Sequence, residues 1–208
     1  VLLSIRPETK DANFTWETFI DKVNADLNDA LGNFVHRTVT FLKNHFDSKI
    51  SEPKDLSELD REVLQSVKGI LSRIEGDLEA SNIQMATRDL MALSRLGNQY
   101  LNEKAPWKTI RSDLQATANT IYVAMQIVKA LSIAIDPFMP KIGEALRDLL
   151  NLNESQSPLL WEEAYKFIPA RHKVKKARIL FRKIEKTPEE IENEIELLRS
   201  RRGLISFN

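Results

Sequence analysis

Over most of this chain apolar residues recur at three- and four-residue steps, and little interrupts them. From about Thr15 to Phe46 the series Trp16, Phe19, Ile20, Val23, Leu27, Leu31, Phe34, Thr38 and Phe41 falls on one face of a helix with 3.6 residues per turn. Gly32 interrupts that pattern and marks an expected bend. A second helix carries Leu59, Val63, Val67, Ile70, Ile74 and Leu78, with Asp55 or Ser57 as its cap. A third carries Ile83, Ala86, Leu90, Leu93, Gly97, Tyr100 and Leu101 and stops before Pro106, because the residue preceding a proline disfavours the helical region. The fourth has the stripe Leu114, Ile121, Met125, Val128, Leu131 and Ile135 and reads as the most buried. The fifth starts at Pro140 and carries Ile142, Leu146, Leu149 and Leu150. Short joints between amphipathic helices predict an all-α antiparallel bundle over residues 1–150.

After Asn151 the texture changes. Residues 151–186 read as an irregular connector with a basic run at Arg171, Lys173, Lys175, Lys176 and Arg178. A last helix is announced by Thr187-Pro188-Glu189-Glu190, in which Thr187 caps, Pro188 takes the first position and Glu190 completes a capping box. Its narrow stripe of Ile191, Ile195 and Leu198 requires a partner surface. Residues 151–208 are thus expected to pack back on the bundle or on a neighbouring domain. The chain starts at Val1, inside what reads as an element, and is expected to be a piece of a longer protein.

Composition removes several function classes. Gly is 6 of 208 residues, about 3% against an average of about 7%, which argues against a turn-rich β fold and a phosphate-cradling loop. The absence of Cys removes a disulfide framework, a thiolate zinc site and a Cys nucleophile. With 30 basic and 30 acidic residues the formal charge is zero, so a broad electrostatic grip on nucleic acid or anionic lipid is not expected. The longest apolar run, Ile121 to Ile135, is too short for a bilayer and is broken by Gln126, Lys129 and Ser132. His36, His45 and His172 show no metal-ligand spacing, and no nucleophile motif is present. These residues predict no catalysis of their own.

Two constellations remain. In Leu31-Gly32-Asn33-Phe34-Val35-His36-Arg37, Asn33 and Arg37 are one helical turn apart, roughly 70–110° from the centre of the apolar stripe. An amide beside a guanidinium fork can read the edge of an unstacked base. The alternative is a bond to a neighbouring helix or to solvent. In Asn98-Gln99-Tyr100-Leu101-Asn102-Glu103-Lys104-Ala105-Pro106-Trp107, Pro106 fixes the backbone ahead of Trp107. A rigidly held indole can stack on any base; the alternative is a Trp plugging the end of the bundle. Trp16 is assigned to the core stripe and Trp161 to docking.

The ordered set resembles the anticodon-binding domain of methionyl-tRNA synthetases of the archaeal or eukaryotic type. Its segments are Arg6-Pro7-Glu8-Thr9-Lys10-Asp11, Val23-Asn24-Ala25-Asp26-Leu27, Leu31 to Arg37, Asn98-x-Tyr100 with Ala105-Pro106-Trp107, Asp136-Pro137-Phe138-Met139-Pro140, and Leu180-Phe181-Arg182-Lys183-Ile184-Glu185. The resemblance implies a helical bundle that follows a class I catalytic domain in a cytoplasmic enzyme. It implies recognition of the CAU anticodon of methionine tRNA, with Trp107 stacking on a base, Asn33 and Arg37 hydrogen-bonding bases, Pro106 shaping the platform and Asn98 at a further family position. The family's HIGH-type and KMSKS-type ATP-binding elements are absent from this chain. ATP, and zinc if the parent has a zinc-binding insertion, would therefore belong to the parent's other parts. Two rivals stay open: an anticodon domain of an isoleucine, valine or leucine enzyme, and a helical protein-interaction module.

Overall fold

The computed structural model describes residues 2–5, 13–152 and 160–201. The motif at Arg6 to Asp11 and the tail from Gly203 lie outside the described residues. A 3-10 turn at Leu2–Ile5 is followed by α1 (Trp16–Lys22), a π-helical stretch (Val23–Gly32), α2 (Asn33–Phe46), α3 (Glu58–Glu79), α4 (Ile83–Lys104), α5 (Pro106–Thr109), α6 (Leu114–Ala134), α7 (Pro140–Leu149) and α8 (Pro188–Arg201). The architecture is an all-α antiparallel bundle. Among the described residues the extended structure amounts to one isolated antiparallel bridge between Lys49 and Lys173.

The helix starts follow from local chemistry. Thr15 accepts from the Thr18 amide at 3.1 Å, and Asp113 accepts from the Ala116 amide at 2.9 Å. Ser57, the one of the two candidate caps that is used, forms a reciprocal capping box with Asp60. Thr187 and Glu190 form the box expected for α8, with bonds of 2.8 and 3.2 Å. Pro106 and Pro140 both open helices, where a missing N–H costs nothing.

α6 runs through the centre of the bundle. Every residue from Thr117 to Ala134 is buried, so its solvent-free surface extends all round and not over one stripe. Its first residue, Leu114, was expected on that stripe but is 60% exposed, because the helix begins beyond the covered zone. α2 and α4 approach closely around Gly97. A β-carbon there would lie 2.4 Å from the Phe34 ring, so only glycine admits that ring against the α4 backbone. This contact sets the distance between the two helices that carry the candidate site residues.

The first predicted helix is helical throughout, but not on one 3.6-residue repeat. The ten-residue π-helical stretch from Val23 to Gly32 shifts the side-chain phase between α1 and α2. α2 buries Phe34, Val35, Thr38, Val39 and Leu42, whereas α1 buries no residue. Trp16 is therefore not a core residue. It stands in an aromatic cluster at the rim, edge-on to Phe14 at 5.0 Å and to Phe19 at 5.7 Å. α8 packs against α1. Ile191 and Ile195 are half-buried there, while Leu198 remains 48% exposed.

The connector lies along the bundle. The Ile50 amide donates to the His172 carbonyl at 3.0 Å, and Lys175 N donates to the Leu149 carbonyl at 2.8 Å. Ile168 and Val174 join the core, and Gln126 closes two bonds with the Ile168 backbone. Within the basic run, Arg171 faces Glu52, while Lys175 and Arg178 both reach Asp148. The Asn24 amide clasps the Ile184 backbone, accepting at 2.8 Å and donating at 3.0 Å. Two sequence motifs 160 residues apart thus meet in one pair of bonds.

Candidate nucleic-acid interface

The joint between α4 and α5 is the most constrained turn near the site. Ala105 adopts a left-handed conformation, φ 41° and ψ 60°, which a β-carbon disfavours by about 1–2 kcal/mol. Its backbone is held on both sides: its amide donates to Leu101 O at 3.0 Å, and its carbonyl accepts from Lys108 N at 2.8 Å. Pro106 is buried at the first position of α5. Trp107 follows at once and projects outward, 46% exposed.

A buried polar network braces this joint from below. Tyr100 Oη donates to Asp60 Oδ1 at 2.7 Å, and Lys104 Nζ reaches the same oxygen at 2.9 Å. The other carboxylate oxygen accepts from the Ser57 amide at 2.9 Å. Burial pushes the Asp60 carboxyl up, but the bonds from Tyr100, Lys104 and Ser57 together outweigh it and hold it below the ordinary aspartate value. Burial first, and then the Asp60 charge, raise the Tyr100 phenol far above its usual value, so it stays a donor. The network ties the start of α3 to the last turn of α4, which ends at Lys104 just before the Ala105 joint that leads to Trp107.

On α2, the Arg37 guanidinium carbon lies 5.1 Å from the centre of the Trp107 ring. Arg37 also donates to Asn102 Oδ1 at 3.1 Å. The guanidinium is therefore held over an exposed indole, with its plane available for further contacts. Asn33, one turn earlier, is exposed. Its amide meets no hydrogen-bond partner among the described residues. A cleft of about 260 Å³ opens beside the pair, lined by Arg37, Thr40, Asn44, Leu101, Pro106 and Trp107 among others.

Asn98 is placed differently. Its amide donates to Ala30 O at 2.8 Å and to Ser94 O at 3.1 Å, fastening α4 to the π-helical stretch just ahead of Asn33. Both of its hydrogens are in use inside the protein. Arg37, Pro106 and Trp107 are thus brought together, Asn33 stands next to them, and Asn98 lies behind.

Asn102 was missed by sequence reasoning. It lies five positions before Trp107 in a polar run, and only the approach of α2 to α4 reveals that it holds Arg37. His36, His45 and Phe41 also line the cleft, the last two tilted 39° to each other with ring centroids 4.4 Å apart. Among the described residues no three His, Cys, Asp or Glu side chains gather as metal ligands. None of the helices among them is long and apolar enough to cross a membrane.

Comparison with known proteins bears on this arrangement. Residues 50–196 match the family model described as the anticodon binding domain of methionyl tRNA ligase. Residues 1–39 match the model for class I tRNA synthetases of the methionine type. Methionine--tRNA ligase of Pyrococcus abyssi is 39% identical over 183 residues, covering 88% of this chain and 25% of that protein. The ligase of Metallosphaera sedula is 36% identical over 195 residues, covering 94% and 34%. The chain thus spans about a quarter to a third of the length of these relatives. The fold matches that of an apo-form methionyl-tRNA synthetase from Mycobacterium tuberculosis with a TM-score of 0.82 at 20% identity, over 89% of this chain and 38% of that one. The family match covers most of the sequence and includes the Trp107 platform, so this chain belongs to the anticodon-binding domain family of methionyl-tRNA ligases.

Proposed function

We propose that this chain reads the CAU anticodon of methionine tRNA, one base stacking on Trp107 while Asn33 and Arg37 hydrogen-bond base edges. The observation that carries the reading is the Arg37 guanidinium held 5.1 Å from an exposed indole at the mouth of a cleft. A ring face supplies sequence-tolerant stacking, and an amide with a guanidinium fork supplies the edge contacts that discriminate. Pro106 and the left-handed Ala105 fix the platform. Asn98 serves by fastening the backbone beneath Asn33. The neutral charge balance suits recognition of splayed bases over a grip on many phosphates.

The rest of the reaction belongs to the longer ligase. We place methionine activation and its ATP on a catalytic part of that protein, with this chain supplying anticodon recognition in the cytoplasm. In this reading residues 1–150 form the recognition bundle, and residues 151–208 lead back along it toward the catalytic part.

Tryptophan fluorescence tests the reading. Titration with methionine tRNA should quench the exposed Trp107 indole, and Trp107→Phe should abolish most of that quench. A quench that survives unchanged in Trp107→Phe would assign the signal to Trp16 or Trp161 and remove the platform.

A further inference from the structure

The cleft continues along α2 past Arg37, away from Asn33. Positions 33, 37, 40 and 44 follow spacings of four, three and four, which keep them on one helix face. At 1.5 Å per residue the row is roughly 16 Å long, more than one base requires when stacked bases rise about 3.4 Å. Asn33 lies outside the cleft lining, whereas Thr40 and Asn44 lie within it. Neither Thr40 nor Asn44 spends its side chain on a partner among the described residues. Asn44 is exposed and Thr40 half-buried. The Phe41 and His45 rings also line the cleft, their centroids 4.4 Å apart.

This part of the cleft has apolar surface for a ring face and polar groups for a ring edge. Its volume of about 260 Å³ is far above the roughly 30 Å³ share of a single water. A neutral Asn amide offers both donors and an acceptor, and Thr adds a hydroxyl that can do either. That chemistry suits the edge of a nucleobase, and the cleft is continuous with the Trp107 platform.

We propose that the Thr40 and Asn44 end of this cleft is a second nucleobase subsite, taking the base next to the one stacked on Trp107. The inference rests on the reading of Trp107 as a stacking platform. In it, Arg37 stands between two bases, Asn33 serves the first, and Asn44 with Thr40 bonds the edge of the second.

A double-mutant cycle tests it. The probes are the anticodon stem-loop RNA of methionine tRNA and three derivatives, each lacking one anticodon base. The proteins are the chain, Trp107→Ala and the double variant Thr40→Val/Asn44→Leu. The double variant should bind the intact loop about tenfold more weakly. That loss should vanish on one abasic derivative, and the Trp107→Ala loss should vanish on a different one. Normal binding by the double variant, with Trp107→Ala still impaired, overturns the second subsite and leaves the platform standing. Coupling of both variants to the same abasic position also overturns it. Failure of the chain to bind the intact loop, or normal binding by Trp107→Ala, removes the platform reading and this inference with it. Thermal melting checks folding, and Asn44→Ala replaces the double variant if the latter melts lower.

Discussion

Arg37 and Trp107 are 70 positions apart in the sequence, yet the guanidinium carbon of one rests 5.1 Å from the ring centre of the other. Asn102 holds the guanidinium from the side at 3.1 Å. A planar fork fixed at two points is pre-organised for bidentate bonding, which a lysine ammonium cannot reproduce. Arg37→Lys should therefore weaken binding of methionine tRNA by about tenfold or more although the charge is kept. Asn102→Ala should produce a smaller loss, because the stacking contact persists. Filter binding at fixed salt measures both. An Arg37→Lys variant with unaltered affinity would show that only charge matters at this position.

Gly97 is predicted to tolerate no side chain. Alanine would bring a methyl to 2.4 Å from the Phe34 ring, and overpacking of this kind costs about 1–3 kcal/mol. Gly97→Ala should lower the melting temperature and, by pushing α2 from α4, reduce tRNA affinity as well. Gly76, whose added β-carbon would meet nothing within 4 Å, is the control: Gly76→Ala should melt at or above the parental temperature. Equal melting of the two variants would contradict the close approach.

Asp60 links stability to acid pH. Its folded-state carboxyl is held below the ordinary value of 3.8, so the folded form binds its proton less tightly than the unfolded chain does. The resulting stabilisation is fully present above that ordinary value and is lost as pH falls through the lower folded value. Asp60→Asn should flatten this acid limb in denaturant melts collected below about pH 4. Asp60→Ala leaves Tyr100 and Lys104 without their partner and should cost about 3 kcal/mol or more at neutral pH. An unchanged acid limb in Asp60→Asn would assign the acid sensitivity to other carboxylates.

Lys129 carries a penalty where Asp60 gives a stabilisation, and it acts in the alkaline range. Its ammonium is buried without a hydrogen-bond partner among the described residues. Burial lowers its value from 10.5 to about 8, opposed by the Glu163 charge and assisted by Lys166. Below about pH 8 the folded protein carries the full penalty of the buried charge. Between about 8 and 10.5 the unfolded chain holds the proton that the folded one has released, so stability rises with pH in that window. Lys129→Met should raise the neutral melting temperature by roughly 2–4 °C and remove the alkaline rise. A variant that melts lower at pH 7 would show that Lys129 is satisfied in solution.

The helices and their caps were legible because they are local. The Thr187 box, Pro140 and the stop before Pro106 depend on neighbouring residues, and the periodic stripes of α3 and α4 report directly which face is buried. The phase shift between α1 and α2 was not legible. A π-helical stretch leaves apolar residues at steps that still resemble three and four, so Trp16 reads as core although it sits at the rim. Within the candidate site, Trp107 and Pro106 follow from a rigid joint, and Asn33 with Arg37 from helical spacing. Their juxtaposition is long-range, set by the Gly97 and Phe34 contact and by the Asp60 network. Asn102 and the Thr40 and Asn44 row depend on that juxtaposition, which is why spacing alone passes over them.

The central claim is that the exposed indole of Trp107 contacts an anticodon base. Binding of the chain and of Trp107→Ala to methionine tRNA carrying CAU, and to the same tRNA with a replaced anticodon, measures it most directly. The predicted result is tight binding only for the parental chain with CAU, the loss of the ring costing on the order of 1–3 kcal/mol. Equal affinities in all four combinations would contradict it.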